Sequence, residues 1–500
     1  MALAKVMSRA AVGIHAPPVT VEVHLSRGLP SFSIVGLPET AVKESKDRVR
    51  SALLNSQFEF PPRRITVNLA PADLPKEGAR YDLAIALGIL SASGQLNAND
   101  IDQYEVIGEL GLDGSLRGCH GTVPFVYAAS QAKHKILLPT ANSDEASLIR
   151  QADCICADHL LAVCAHLQNI KPLASVKPRQ RQGRRANGVD LSEVRGQFHA
   201  KRALEVAAAG GHNLIMTGPP GSGKTMLASR LIGLLPPMTE DEMIETAMIS
   251  SIAGQKEDWQ QWGTRPYRHP HHTSSAVALV GGGNLAKPGE ISLANNGVLF
   301  LDEVPEFDRK VLEVMREPLE SGTISISRAA RQAQYPARFQ LIAAMNPCPC
   351  GHLGDQTKEC RCSPDQINRY KARISGPLLD RIDIHVEVPA IAAKDLQGDH
   401  DAESSQTVAE RVATARQRQL ARNGKTNQAL NEKEIGLYCV LKQRDAEFLQ
   451  IAMTQLKLSA RAYHRILKVA RTIADLAAKE TIESEHLQEA INYRRLDRLN

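Results

Sequence analysis

The first third of the chain alternates apolar and polar positions at the period of a half-buried β-strand. Val19–Leu25 follows this alternation, and Phe32–Val35 and Ile65–Leu69 are shorter apolar runs that also predict strands. Val42–Leu53 has apolar residues at helical spacing, which predicts a helix. Tyr81–Ser91 is almost wholly apolar, so it predicts a helix buried in the core. The first third is therefore predicted to be a mixed α+β unit.

Apolar runs in the middle of the chain end abruptly in polar residues. Leu214–Met216, Gly297–Leu301 and Phe339–Met345 are such runs, and each predicts a buried strand. An amphipathic stretch follows the first of them and stops at Pro236–Pro237, which predicts a helix. From Thr407 onward, helical spacing dominates. The chain is thus predicted to be a multidomain protein with α/β and α+β parts.

A length of 500 residues suggests about three domains. The predicted parts are an N-terminal domain (1–168), a basic linker (169–190), a nucleotide-binding domain (191–390), a second linker (391–405) and a helical domain (406–500). In the first linker, Lys171–Arg185 holds six basic and no acidic residues. We interpret this stretch as a solvated tether, with a non-specific phosphate contact as the alternative.

The composition bears on whether the chain is a nucleic-acid-binding, a membrane or a secreted protein. The 60 basic and 55 acidic residues give a net charge of +5, which is too small to indicate a nucleic-acid partner by itself. No run approaches the roughly eighteen apolar residues of a membrane span, and no apolar signal segment follows Lys5 and Arg9. Nine cysteines without an export signal indicate a reducing compartment. We expect a cytoplasmic protein with no membrane partner.

The most specific motif is a glycine-rich turn that follows the strand Leu214–Met216. It fits the phosphate-loop pattern at every fixed position, and a helix follows it as the motif requires. Glycines let backbone N–H groups converge on phosphate oxygens, and the helix N-terminus adds partial positive charge. The residues predicted to bind ATP are Gly218, Pro219, Pro220, Gly221, Ser222, Gly223, Lys224, Thr225 and Met226.

Side chains at the ends of the next two strands complete a predicted site for ATP hydrolysis. Lys224 is expected to reach the β- and γ-phosphates, while Thr225 and Asp302 hold Mg²⁺. Glu303 would polarise the attacking water. Asn346 follows the strand Phe339–Met345 and would contact the γ-phosphate; the alternative is an ordinary turn asparagine at a strand end.

Arg381 precedes an alternating strand and is the predicted arginine finger. Such a residue stabilises charge on the γ-phosphoryl group during transfer, and in a ring ATPase the neighbouring subunit supplies it. Arg373 is the reserve candidate. The alternative for Arg381 is a salt-bridged surface arginine.

Four segments resemble the AAA+ domain of the magnesium-chelatase-like family, and the chain as a whole resembles the ComM/YifB family. They are GQFHAKRALEVAAAGGHNLIMTGPPGSGKT, RPYRHPHHTSSAVALVGGG, GEISLANNGVLFLDE and SGPLLDRIDIHVEVP. The resemblance implies an AAA+ core with a parallel sheet and a C-terminal helical lid. It also implies that Arg461, at the start of a lid helix, is the sensor-2 arginine, the alternative being a solvated arginine near the helix cap.

Two N-terminal segments resemble the proteolytic domain of the Lon family, LPKEGARYDLAIALGIL and GELGLDGSLRGCHGTVPFVYAA. That family uses a serine and a lysine. Here Ala79 is followed by Arg80 in the serine segment, and Thr122–Phe125 lacks a lysine. An activated nucleophile needs its base, so we predict a Lon-like domain that is catalytically inert.

Two insertions in the AAA+-like part bear on the substrate. Arg265–Asn284 is rich in histidine, and the resemblance places it facing the pore of a ring; a metal site there is a weaker interpretation. Thr323–Phe339 resembles the hairpin that carries basic residues in DNA motors. Arg328 and Arg331 near its tip are the predicted DNA contacts, and a solvated hairpin with scattered charge is the alternative.

Cys348, Cys350, Cys360 and Cys362 lie within fifteen residues, directly after Asn346. Four thiolates suit tetrahedral Zn²⁺, although the one-residue spacing inside each pair is tighter than usual. We predict a structural zinc site, with free thiols as the alternative.

These features together favour an ATP-driven, ring-shaped DNA helicase or translocase. The resemblance implies a homo-hexamer that promotes branch migration during homologous recombination in natural transformation. The expected cofactors are ATP and Mg²⁺, with Zn²⁺ as a structural ion. The expected partners are single-stranded and branched DNA, a recombinase and other recombination proteins. A magnesium-chelatase-type remodelling ATPase and an ATP-dependent protease are the alternatives.

Overall fold

The structure is a computed structural model, and the residues it describes are 3–98, 100–179, 189–255, 262–283, 286–328, 331–354, 358–390, 403–456 and 458–494. Much of both predicted linkers lies outside these residues. The backbone of the hairpin strands is described, but the side chains of Arg328 and Arg331 lie outside the described part, so their predicted role stays a prediction.

The strands are short, and those expected in the first third and in the middle of the chain are present. They are β1 (Leu3–Arg9), β2 (Pro18–Ser26), β3 (Ser31–Val35), β4 (Arg64–Ala70), β5 (Tyr104–Val106), β6 (Glu109–Leu110), β7 (Leu116–Arg117), β8 (Lys135–Pro139), β9 (Cys154–Ala157), β10 (Leu214–Thr217), β11 (Tyr267–Arg268), β12 (Gly281–Gly282), β13 (Lys287–Pro288), β14 (Val298–Leu301), β15 (Thr323–Arg328), β16 (Arg331–Pro336), β17 (Gln340–Met345) and β18 (Ile384–Glu387).

The longest helices lie towards the C-terminus, as the periodicity from Thr407 onward predicts. The helices are α1 (Thr40–Lys43), α2 (Ser45–Asn55), α3 (Asp82–Ser93), α4 (Thr122–Gln131), α5 (Ser143–Ala146), α6 (Leu160–Leu167), α7 (Phe198–Gly210), α8 (Lys224–Leu234), α9 (Glu240–Ala253), α10 (Ala276–Val280), α11 (Glu290–Leu293), α12 (Arg309–Val314), α13 (Arg316–Ser321), α14 (Pro364–Lys371), α15 (Gly376–Leu379), α16 (Ser405–Asn423), α17 (Glu432–Tyr438), α18 (Gln443–Leu456), α19 (Ala460–Leu476) and α20 (Ser484–Asn492).

The chain forms two compact units. The first comprises Met1–Gln182, Glu240–Trp262 and Ala329–Tyr335. Its main sheet has seven strands in the order β3-β4-β2-β1-β5-β8-β9. The pairs β1–β2 and β2–β4 are antiparallel, while β3–β4, β1–β5, β5–β8 and β8–β9 are parallel. This mixed sheet with helices is the α+β unit that the alternation predicts.

Helix α3 is buried on nearly all sides, as its uniformly apolar sequence predicts. It packs against β1 and β2. A Cβ atom at Gly88 would lie 2.5 Å from Cγ2 of Val23, so the glycine permits the close approach of this helix to the sheet.

The second unit comprises Gly183–Thr239, Gly263–Arg328 and Pro336–Asn500. Its main sheet has five strands in the order β11-β14-β17-β10-β18, and all four pairings are parallel. The lid helices α16 to α20 share one hydrophobic core with this sheet and α7. The fold is therefore a mixed α/β architecture with a parallel sheet and a helical C-terminus.

Helix α9 belongs to the first unit, although it lies in sequence between β10 and β11 of the second. Its Ala247 and Met248 share a core with α4 and β8. Ser251 donates a hydrogen bond to Glu145 at 2.6 Å. The segment 191–390, predicted from sequence to be one continuous domain, thus contributes a helix to the other compact unit.

Candidate nucleotide and metal sites

The phosphate-loop residues form a tight turn between β10 and α8. Gly221 and Gly223 have φ angles of 76° and 92°, a conformation that side chains disfavour. A Cβ atom at Gly218 would lie 2.0 Å from the carbonyl oxygen of Val388, so only glycine fits against the end of β18. Helix α8 begins at Lys224, so its N-terminal N–H groups and partial positive charge face the turn.

Lys224 is held inside this turn. Its Nζ donates to the carbonyls of Gly218 and Pro219 at 2.8 and 2.9 Å, and to Oδ1 of Asn346 at 3.2 Å. Burial lowers the pKa of Lys224, although the nearby carboxylate of Asp302 opposes this shift. The lysine predicted to bind phosphate and the asparagine predicted to act as a sensor are therefore in direct contact.

The register of the parallel sheet explains this contact. Thr217 of β10 pairs with Met345 of β17, and the N–H of Gly218 donates to the Met345 carbonyl at 3.2 Å. The carboxyl ends of the two strands therefore coincide, which places the loop beside Asn346.

Asp302 lies at the end of β14 and faces the start of α8. Oγ1 of Thr225 donates to Oδ2 of Asp302 at 2.7 Å, and the backbone N–H of Glu303 donates to Oδ1 of Asp302 at 2.9 Å. A hydroxyl and a carboxylate at this separation are suitable hard oxygen ligands for Mg²⁺. The structure thus brings together four of the residues predicted to handle ATP, namely Lys224, Thr225, Asp302 and Asn346.

Glu303 adopts a left-handed backbone conformation, with φ of 51°. Its Oε2 lies 3.3 Å from Nδ1 of His272, a residue of the histidine-rich insertion. A metal site was the weaker interpretation of these histidines, and nothing in their spacing predicts the contact with Glu303. Within the described part of the chain, the histidines of the insertion do not form a cluster of three or more candidate metal ligands.

The three predicted arginines have different surroundings. Arg381 is buried; its Nη1 donates to the Pro377 carbonyl at 2.5 Å, and its Nη2 pairs with Glu320. Arg373 pairs with Glu306 at 3.0 Å and is half exposed. Arg461, in the first turn of α19, is 66 % exposed and lies 3.9 Å from Asp380.

A cavity of about 1120 Å³ lies in the second unit beside the phosphate loop. The loop residues Gly218 and Pro219, the end of β18 at Glu387 and the lid residues Leu456 and Ser459 line it. Lys224 and Thr225, the catalytic candidates in α8, do not line this cavity. The cavity therefore adjoins the phosphate loop on the side that faces the lid.

The sulfur atoms of Cys348, Cys350, Cys360 and Cys362 all lie within 4.8 Å of one another. Cys348 is buried and the other three are half-buried. Four converging thiols are the donor set of a structural zinc site, so the residues fit the predicted ion. Cys154 and Cys156 belong to no such cluster among the described residues.

The two Lon-like segments meet in the first unit. Arg80 donates a hydrogen bond to the carbonyl of His120. The hydroxyl of Thr122, which begins α4, donates to the Cys119 carbonyl at 2.9 Å. Arg80 and Thr122, which stand in the segments where that family would carry its serine and its lysine, both donate to backbone carbonyls.

Comparison with protein families places the chain in a class. The family model for magnesium chelatase subunit ChlI matches residues 190–396, a second ChlI model matches residues 21–142, and a model for the ChlI C-terminal part matches residues 402–494. These matches define a magnesium-chelatase-like protein of the AAA+ class. The second match also shows that the N-terminal part is shared with this class.

Full-length relatives narrow the class. The chain is 55 % identical to Competence protein ComM of Haemophilus influenzae, over 100 % of this chain and 99 % of that protein. It is 52 % identical to the uncharacterized protein YifB of Escherichia coli, over 100 % and 98 %. It is 25 % identical, over 40 % of this chain and 25 % of that protein, to the maternal DNA replication licensing factor mcm6 of Xenopus tropicalis. The chain belongs to the ComM/YifB family.

Among the residues that the structure describes, no helix combines the length and the apolarity that a membrane span needs.

Proposed function

We propose that this chain is an ATP-driven DNA helicase that works as a ring and promotes branch migration during homologous recombination in natural transformation. One observation carries the proposal: Lys224, Thr225, Asp302 and Asn346 converge at the carboxyl ends of three adjacent parallel strands. This is the arrangement that phosphoryl transfer from ATP requires. The role in transformation follows from the relative named for competence.

The same residues supply a mechanism for hydrolysis. Lys224 would exchange its carbonyl contacts for the β- and γ-phosphate oxygens. Thr225 and Asp302 would hold Mg²⁺, which neutralises charge on these phosphates when bound. Glu303 would accept a proton from the attacking water, and Asn346 would orient that water against the γ-phosphate.

The remaining groups act where subunits and nucleotide meet. Arg381 would reach the γ-phosphate of a neighbouring subunit in a homo-hexamer, and Arg461 would contact the γ-phosphate bound to its own subunit from the lid. Both roles need motion, because Arg381 is paired with Glu320 and Arg461 is largely exposed. Arg328 and Arg331 would grip the DNA backbone from the hairpin.

The N-terminal unit is proposed to be a Lon-like domain without peptidase activity. Arg80 and Thr122 stand where the serine and the lysine would be expected, and both donate to backbone carbonyls. This supports the proposal, because a nucleophile needs a side-chain base beside it. We assign this unit to DNA binding and assembly, and we place the protein in the cytoplasm, where branched DNA and a recombinase are its partners.

A labelled four-way DNA junction with homologous arms tests the proposal. The wild-type chain with ATP and Mg²⁺ should convert the junction to duplex products. Glu303→Gln should bind ATP and DNA but hydrolyse ATP at least about a hundredfold more slowly, and should leave the junction intact. ATP turnover that is indifferent to DNA, together with an unprocessed junction, would overturn the proposal.

The second candidate is a remodelling ATPase of the magnesium-chelatase type, which the descriptions of all three family models favour. It predicts ATP turnover that responds to a protein partner and not to DNA. The junction experiment therefore separates the two candidates directly.

A further inference from the structure

The four-cysteine cluster touches the phosphate loop. Gly351 lies between the two cysteine pairs and has a φ angle of 81°. A Cβ atom at Gly351 would lie 2.6 and 2.8 Å from Cδ and Cγ of Pro220. Its backbone therefore packs directly on the proline ring of the loop. Pro220 is one of the residues predicted to surround the phosphates.

A second contact leads from the cluster to the same site. Asn346 precedes Cys348 by two residues, and its Oδ1 accepts a hydrogen bond from Lys224 at 3.2 Å. The turn that carries the first two cysteines thus begins at a residue held by the phosphate-binding lysine. The Cys348–Gly351 turn therefore contacts the loop at Pro220 and is preceded, two residues earlier, by the asparagine bonded to Lys224.

The segment that carries the cysteines contains no regular element: between β17 and α14, its described residues form turns and bends without a helix or strand. Its sulfur atoms lie close together. Cys348 lies 3.4 Å from Cys350 and 3.6 Å from Cys360, and Cys350 lies 3.7 Å from Cys360. Thiols at these separations bind a soft tetrahedral cation in place of contacting one another.

We propose that this cluster binds one Zn²⁺ and that the bound ion fixes the phosphate loop, so that ATP affinity depends on zinc. The thiolates would tie the Cys348–Gly351 turn to Cys360 and Cys362, and the turn would hold Pro220 and Asn346 in place for the phosphates. Without the ion the turn loses its cross-link. ATP binding must then order the turn, and this ordering reduces the net free energy of ATP binding. The inference rests on the proposed nucleotide site.

Metal content and ATP affinity test the proposal on the full chain. Elemental mass spectrometry of the purified protein should find one zinc per chain. A zinc-selective chelator, used with Mg²⁺ in excess, should weaken binding of a fluorescent ATP analogue at least tenfold, and added Zn²⁺ should restore it. Cys360→Ser should reproduce the chelated state, while Cys156→Ser, outside the cluster, should match wild type. Circular dichroism shows whether each variant keeps its fold.

Gly351→Ala separates the loop contact from the metal. The added methyl group meets Pro220, so this variant should keep its zinc but bind ATP more weakly than wild type. A chain without zinc, or zinc removal that leaves ATP affinity unchanged, would overturn the inference and leave the proposed function standing. A zinc-loaded chain that binds no ATP would overturn both.

Discussion

Nδ1 of His272 lies 3.3 Å from Oε2 of Glu303, so the histidine-rich insertion places an imidazole against the carboxylate proposed to activate water. The ring of His272 lies 4.2 Å from that of His271, tilted by 35°, and makes an edge contact with Phe307 at 6.5 Å. Glu303 is therefore positioned by a segment distant in sequence. The same insertion reaches β15 of the hairpin, because a Cβ atom at Gly281 would lie 2.7 Å from Cδ1 of Ile326.

His272→Ala is expected to lower kcat for ATP hydrolysis by about tenfold or more, because the carboxylate loses the group that orients it. KM should change little, since the histidine contacts Glu303 and not the phosphate loop. Steady-state ATPase assays measure both constants. His199→Ala is the matched control, because this histidine is exposed on α7 and lies outside the insertion. An unchanged kcat in His272→Ala would remove the positioning role.

Arg381→Ala is expected to abolish ATP hydrolysis in assembled rings while ATP binding remains. Because the arginine would act on a neighbouring subunit, mixing Arg381→Ala with Lys224→Ala should restore part of the activity. A mixed interface is complete when the Arg381→Ala chain supplies the loop and the Lys224→Ala chain supplies the arginine, and the opposite order combines both defects. Glu320→Gln should alter turnover through its pairing with Arg381.

Arg373→Ala serves as the control for this mixing experiment, since Arg373 pairs with Glu306 on the surface of the second unit. If Arg373→Ala loses activity and Arg381→Ala does not, the two assignments must be exchanged. If neither mixture regains activity, hydrolysis does not depend on an arginine supplied by another subunit.

The double variant Arg328→Ala/Arg331→Ala is expected to bind single-stranded DNA more weakly and with a smaller dependence on salt. Each lost phosphate contact should reduce the slope of log K against log salt by about 0.7 for single strands. Fluorescence anisotropy at several salt concentrations gives the slope. Lys442→Ala/Arg444→Ala, at exposed positions outside the hairpin, removes the same charge and provides the comparison. If the slope of log K against log salt is unaltered, the hairpin does not contact the phosphates of the DNA.

Glu77 should make the first unit less stable as the pH rises. Burial raises the pKa of Glu77 to about 7, although Arg80 partly opposes the shift. The folded state therefore binds a proton that the unfolded state releases at lower pH. The contribution of Glu77 to stability is complete below the ordinary pKa of a glutamate, and it is lost as the pH rises through about 7.

Glu77→Gln should remove this dependence and stabilise the unit at pH 8 more than at pH 5. Urea unfolding of both proteins at the two pH values measures the change. Glu59→Gln, at an exposed position, is a suitable control. Parallel shifts at both pH values would show that Glu77 does not titrate with folding.

The residues of the nucleotide site could be predicted from the sequence where they lie close together in the chain or at the ends of apolar strands. The spacing from Gly218 to Thr225 fixes the loop, and an apolar strand before Asp302 or Asn346 fixes where each side chain emerges. Parallel strands then bring these ends together without further information. The four cysteines were found for the same reason, since their ligand set is contained in fifteen residues.

Contacts between segments that are distant in the chain depend on how the helices and strands pack, and they could not be predicted from local patterns. His272 precedes Glu303 by about thirty residues, and no periodicity relates them. Burial of Arg381 against Glu320 depends on how α13 packs, and the motif around Arg381 says nothing about α13. Helix α9 has acidic and apolar residues that suit either compact unit, so its membership is decided by packing partners far away in the chain.

Strand β18 connects the phosphate loop to the arginine that would act on the next subunit of the proposed ring. Arg381 lies three residues before this strand, and Val388, directly after it, presses its carbonyl against Gly218. A shift of one subunit's phosphate loop on product release would be carried along β18 to Arg381. If Arg381 acts on a neighbouring subunit, as proposed, the subunits of the ring should hydrolyse ATP in succession and not at random.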